Sequence, residues 1–124
     1  MKKAFIPILL LVAVLLTSCS NTPKKVASQF MKSMVSHNYD EAAASCGFSK
    51  DPASRDLVIT VLLEQFGDDI RAFTVTNDSL LPDKERAIVT MTLSYNNDTK
   101  EEDYPIYMKK MDDKWYVDPF TIVE

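Results

Sequence analysis

The sequence predicts an α+β domain in which N-terminal helices pack on an antiparallel sheet of about four strands. Three observations predict it. Between residues 23 and 66, apolar residues recur at helical spacing in segments that open on Pro or a polar cap. From Arg71 onward the period changes, and Val, Ile, Thr and aromatic residues gather in short runs that tend to alternate. Polar segments separate those runs, and helices followed by an antiparallel meander place the helices on one face of the sheet.

The first helix spans residues 23–36. Pro23 suits its first turn, because the missing N–H would be unpaired there. Val26, Ala27, Phe30, Met31, Met34 and Val35 form its apolar stripe, with Lys25, Ser28, Gln29, Lys32 and Ser33 opposite. His37-Asn38-Tyr39 breaks it. Asn38 followed by Glu41 resembles a capping box opening a short helix from Tyr39 to Cys46, with Gly47 as the stop. Asp51-Pro52 is the next start signal, for a helix over 52–66 that ends at Gly67. Its apolar set is Leu57, Val58, Val61, Leu62 and Phe66, widened by Ile59 and Leu63.

Strands are predicted over 71–76, 86–95, 104–111 and 115–120. In the second, Ala87, Val89, Met91, Leu93 and Tyr95 share one face, and Ile88, Thr90, Thr92 and Ser94 the other. Residues 77–85 and 96–102 read as polar connections, and Asp112-Asp113 as a tight hairpin.

The chain has 124 residues, 46% hydrophobic and 26% charged, which is one domain's worth of ordinary composition. The apolar residues are unevenly spread. Lys2 and Lys3 precede a run from Ile6 to Leu16 that is aliphatic or alanine except at Pro7. A basic start, a short apolar run and small residues after it are the pattern of a secretory signal peptide. The run is shorter than the roughly 20 residues a permanent span needs. It ends in Leu16-Thr17-Ser18-Cys19, which resembles the bacterial lipobox. That resemblance implies a diacylglyceryl thioether on the Cys19 sulfur, cleavage before Cys19, and acylation (palmitate or a similar chain) of the new amino terminus. Residues 1–18 are then the signal peptide, 19–22 a lipidated tether and 23–124 the domain. Two or more acyl chains give stable anchoring where one does not. Ser20 rather than Asp follows the cysteine. By resemblance to Gram-negative lipoproteins this favours the periplasmic face of the outer membrane.

Removing residues 1–18 takes away Lys2 and Lys3 and no acid. The 14 basic residues fall to 12 against 18 Asp and Glu, leaving the mature chain at about −6. Lys24-Lys25 and Lys109-Lys110 are isolated doublets, so nucleic acid is not an expected partner. With Cys19 acylated, Cys46 is the single remaining thiol and no internal disulfide can form. Its place in an alanine-rich helix reads as a small buried residue.

The mature chain resembles a known family. "TPKKVASQFMKSMVSHNYDEAAA" is similar to the opening of small lipoprotein domains of the DUF4878 type, within the NTF2-like superfamily. "AIVTMTLSY" and "YMKKMDDKWYVD" resemble that family's paired strands. The likeness covers residues 23–120 and rests on the order of elements. It implies an NTF2-like (cystatin-like) cone and no particular reaction. The family turn often carries Gly where this chain has Asn38, a residue that still suits a cap.

NTF2-like folds often hold a pocket between sheet and helices, and some use a pocket Asp or an Asp–His pair for proton transfer. Here His37 is the single histidine, and with Asp40 it could serve as a general base. A histidine beside Asn and Tyr is more often a solvated turn residue, and helix initiation accounts fully for Asp40. No second His or Cys stands at zinc spacing, and Asp98, Glu101, Glu102 and Asp103 lack the pattern of an EF-hand loop. No metal or other cofactor is implied. Tyr95, Tyr104, Tyr107, Trp115 and Tyr116 concentrate in the sheet. Trp115 could be core with Met91, Leu93 and Met108, or these side chains could line an apolar pocket. Tyr107 and Tyr116 could instead form an exposed strip for a protein partner. The sequence therefore favours a membrane-anchored envelope lipoprotein that binds a protein partner or small apolar ligand without catalysis. The alternative is a small-pocket enzyme using His37 or Asp40.

Overall fold

A computed structural model of the chain describes residues 21–47 and 51–120, with the backbone alone at 98–100. The expected signal peptide and lipidation site, Cys19, lie outside the described residues. Three helices, α1 (Pro23–Val35), α2 (Tyr39–Ser45) and α3 (Pro52–Phe66), precede four strands, β1 (Ile70–Leu80), β2 (Arg86–Tyr95), β3 (Asp98–Met111) and β4 (Lys114–Val117). The strands form one antiparallel sheet in the order β1-β2-β3-β4. Helix α1 touches all four strands, which wrap around it. This is the α+β arrangement expected from the sequence, with helices packed on a four-stranded antiparallel sheet.

The core is the layer between α1 and the sheet. Phe30, Met31 and Met34 meet Val89, Met91, Leu93 and Met108, and all seven are fully buried or nearly so. Burying a side chain of this size contributes about 1.5–3 kcal/mol. Ala27, Ala42 and Ala43 are also buried. Ser33, expected on the polar side of α1, is buried as well. Its hydroxyl donates to the Gln29 carbonyl at 3.0 Å, so the polar group is satisfied within its own helix.

Both ends of α1 are fixed by local chemistry. The Thr22 side chain accepts from the Lys25 N–H at 3.3 Å, and Asn21 Oδ1 accepts from the Trp115 N–H at 2.8 Å. Asn21 and Thr22, assigned above to the tether, thus both bond the folded domain. At the other end His37 takes a left-handed conformation (φ 61°). Its N–H donates to Met34 O at 3.2 Å and the Asn38 N–H to Ser33 O at 2.8 Å, the paired bonds of a Schellman cap. This overturns the capping box at Asn38. A box needs Glu41 to reach the Asn38 N–H, which already belongs to Ser33, and the Asn38 side chain makes no cap bond.

Helix α3 starts as expected, with Asp51 accepting from Ala53 N–H and the Ser54 hydroxyl. Its buried line is narrower than the sequence suggests: Val58, Leu62 and Phe66 are buried, whereas Leu57 is 60% exposed. The helix packs on α2 and meets the sheet side through its last turn, so one i, i+4 line suffices.

Three strands differ in extent from the expectation. Strand β1 continues to Leu80 through exposed Asn77, Asp78 and Ser79, which pair with β2 by backbone alone past a bulge after Val75. Strand β3 begins at Asp98, leaving Asn96-Asn97 as the turn. Strand β4 stops at Val117. The Asp112-Asp113 hairpin is as expected, with φ 52° and 63°, the two positive values of a type I′ turn.

Candidate functional site

Strand β4 pairs only with Met108–Met111 of β3, so the rest of that β3 edge has no strand partner among the described residues. Pro119 follows directly and cannot donate to a ladder. Before it, the Asp118 N–H still donates to Tyr107 O at 2.7 Å. After it, the Phe120 N–H turns back to Asp118 Oδ1 at 3.1 Å. The last turn of α3 spans the space left over. Gln65 Nε2 donates to the Pro119 carbonyl, and the Tyr104 hydroxyl donates to the Gln65 carbonyl at 3.3 Å.

These contacts frame a cleft of about 470 Å³. Its walls are Phe66, Tyr104, Pro105, Ile106, Tyr107, Val117 and Pro119, and its polar groups are Gln65, Asp103 and Asp118. Phe66 and Tyr104 stand with ring centroids 5.4 Å apart, and Phe66 is held from behind by Phe30 at 5.8 Å, edge to face. The wall is therefore continuous with the core. The Thr92 hydroxyl donates to Asp103 Oδ1 at 2.7 Å and orients that carboxylate. A concave site with mostly apolar walls and a few fixed polar groups, of about 300–1,000 Å³, is the usual form of a small-molecule pocket.

The aromatic residues singled out in the sequence fall in different places. Tyr104 and Tyr107 line the cleft. Tyr95 is not among the lining residues; burial, then the Tyr104 and Glu102 charges, push its hydroxyl up to about 12. Trp115 is core, in one buried cluster with Met91, Leu93 and Met108. Tyr116 lines a different groove, beside α1. Tyr107 and Tyr116 share the outer face of neighbouring strands, half-buried, and each lines a different depression.

His37 and Asp40 have separate partners outside the cleft. The exposed His37 donates from Nε2 to the Asp68 carbonyl at 2.9 Å, and its ring lies 5.9 Å from that of Tyr39. Asp40 is 73% exposed and faces Arg55 Nε at 3.6 Å. Capping and loop-bonding account for His37. Cys46 is fully buried, and burial pushes its thiol up to about 12, with Asp118 adding to this and Lys109 opposing it. Such a thiol is a packing residue at neutral pH. Among the described residues, no three His, Cys, Asp or Glu side chains gather as metal ligands, and no helix is long and apolar enough to cross a membrane.

Sequence reasoning missed Gln65 and Pro119. Gln65 reads as one more polar residue on a helix back. Pro119 did carry a signal, since a proline inside a predicted 115–120 strand argues that the strand ends before it.

No protein-family model matches the chain, and no curated protein matches it. A solved structure of a protein described as an NTF2-like transpeptidase from Campylobacter jejuni is similar, with 18% identity and a TM-score of 0.49. The similarity covers 77% of this chain and 96% of that one.

Proposed function

We propose that this chain is a bacterial envelope lipoprotein of the DUF4878 type, anchored through Cys19, whose domain binds a small apolar ligand without catalysis. The observation that carries the binding role is the cleft between the end of α3 and the open edge of β3. Its apolar walls favour hydrocarbon or aromatic surface over water, at about 25 cal/mol per Å² buried. Asp103 and Asp118 add negative charge to the lining and disfavour an anionic ligand. The apolar ligand is favoured over a protein partner because the tyrosines read as an exposed strip are half-buried and divided between two depressions. The anchor rests on the order of Lys2-Lys3, the apolar run and Leu16-Thr17-Ser18-Cys19.

A neutral apolar fluorophore, N-phenyl-1-naphthylamine, tests the binding role. The wild-type chain is expected to enhance its emission saturably. Tyr104→Glu sets a carboxylate in the apolar wall, and leaving it poorly solvated should weaken binding by roughly 10-fold or more. Circular dichroism checks that the variant is folded. A wild-type chain that gives no saturable signal, or a folded variant that binds equally well, overturns the proposal.

A further inference from the structure

We infer that the end of the domain where the chain enters is a membrane-facing surface that receives anionic lipid headgroups. This rests on the anchor reading of Cys19 and adds an orientation to it. Asn21 is fixed by its bond to the Trp115 N–H, and Thr22 caps α1. Cys19 is two residues earlier, and two residues reach at most about 7 Å. A lipid on Cys19 therefore holds this end of the domain at the bilayer surface with almost no slack.

The charges at that end fit the task. A groove of about 830 Å³ between the exposed side of α1 and β4 is lined by Lys24, Lys25 and Lys32 with Trp115 and Tyr116, and no carboxylate lines it. On the other side of Trp115, a second depression of about 520 Å³ carries Lys84 and Lys110, with Asp78 as its single acid. The Lys110 ammonium stands 5.8 Å from the Trp115 ring centroid. Of the other acids near this end, Asp83 is held by Arg86 at 2.7 Å, Glu85 is exposed in the β1–β2 connection with its carbonyl accepting from the Lys110 N–H, and Asp112 and Asp113 sit in the hairpin turn beside Lys114. The opposite end of the sheet exposes Asp68, Glu101, Glu102 and Asp103. Lys24, Lys25, Lys84, Lys110 and Lys114 thus gather around the chain entry, with Lys32 on the last turn of α1, and surplus acid lies at the far end. An anionic leaflet attracts the first and repels the second over a Debye length of about 10 Å. The half-buried Tyr116 beside those lysines suits the headgroup level by its polar tip.

Trp115 is the single tryptophan and, though only 8% exposed, borders both depressions, so bromine near the headgroups quenches it when this end meets the lipid. The full chain, processed in a bacterial host and purified, is incorporated into phosphatidylcholine vesicles with or without phosphatidylglycerol, the lipids brominated close to the headgroup. Trp115 emission should be quenched in the phosphatidylglycerol vesicles. The quenching should be lost in Lys24→Gln/Lys25→Gln/Lys32→Gln and reduced by high salt. Absence of quenching, or quenching indifferent to lipid charge and to those lysines, overturns the orientation. Palmitate labelling of the same preparation separates the two readings. A labelled, vesicle-bound protein without quenching overturns the orientation alone, whereas an unlabelled protein overturns the anchor and the orientation with it.

Discussion

Cys46 and Tyr95 are groups whose folded environment favours the neutral form. Burial is the main cause for both, and each is pushed up to about 12 from ordinary values of 9.0 and 10.0. The unfolded chain therefore releases these protons at lower pH than the folded chain does. Their contribution to stability is complete below pH 9.0, is lost progressively as pH rises above it, and is gone by about pH 12. Urea denaturation followed across that window should show a falling midpoint, and Cys46→Ala should flatten its lower part. A midpoint that holds steady to pH 12 would show that the thiol is not sequestered. His37 illustrates a different residue-scale point. A histidine in a turn invites a catalytic reading, but here its backbone supplies the left-handed position of a helix cap and its ring bonds a neighbouring loop.

At the scale of elements, the helix ends are where single substitutions tell most. Gly67 closes α3 at φ 74° and ψ −175°, a region essentially closed to residues with a Cβ. A Cβ there would meet no other atom, so the cost of Gly67→Ala is purely conformational. It should destabilise the domain by about 1–3 kcal/mol in urea titration. A loss near zero would mean that the α3–β1 junction is free to relax. The helices and β2 were legible because each buries one face and writes its period into the sequence. The outer half of β1 and the start of β3 were not, since Asn77, Asp78, Glu101 and Glu102 are exposed and their pairing is a backbone matter. Alternation reports burial, and where neither face is buried it is silent. The cleft was legible only in its aromatic wall, at Tyr104 and Tyr107. Its closure depends on Gln65 meeting Pro119 across 54 residues, which no local pattern encodes.

For the whole molecule, the proposed anchor and the ligand cleft have different surroundings. The lysine grooves flank the chain entry, whereas the cleft lies between the end of α3 and β3, with Asp103 of the acidic end in its lining. On this geometry the cleft stays accessible when the domain stands on the bilayer. Cys19→Ala should leave an unprocessed precursor that takes up no palmitate in a labelled bacterial host, and normal processing of that variant would rule out the lipobox. The central claim is the ligand cleft, and amide chemical-shift mapping tests it most directly. Titrating the isotope-labelled protein with N-phenyl-1-naphthylamine should move the amides of Phe66, Tyr104, Ile106, Tyr107 and Val117 together along one saturable curve, leaving those of Lys24, Lys25 and Lys32 in place. Shifts centred on the lysine groove, or scattered and unsaturable, would contradict the account.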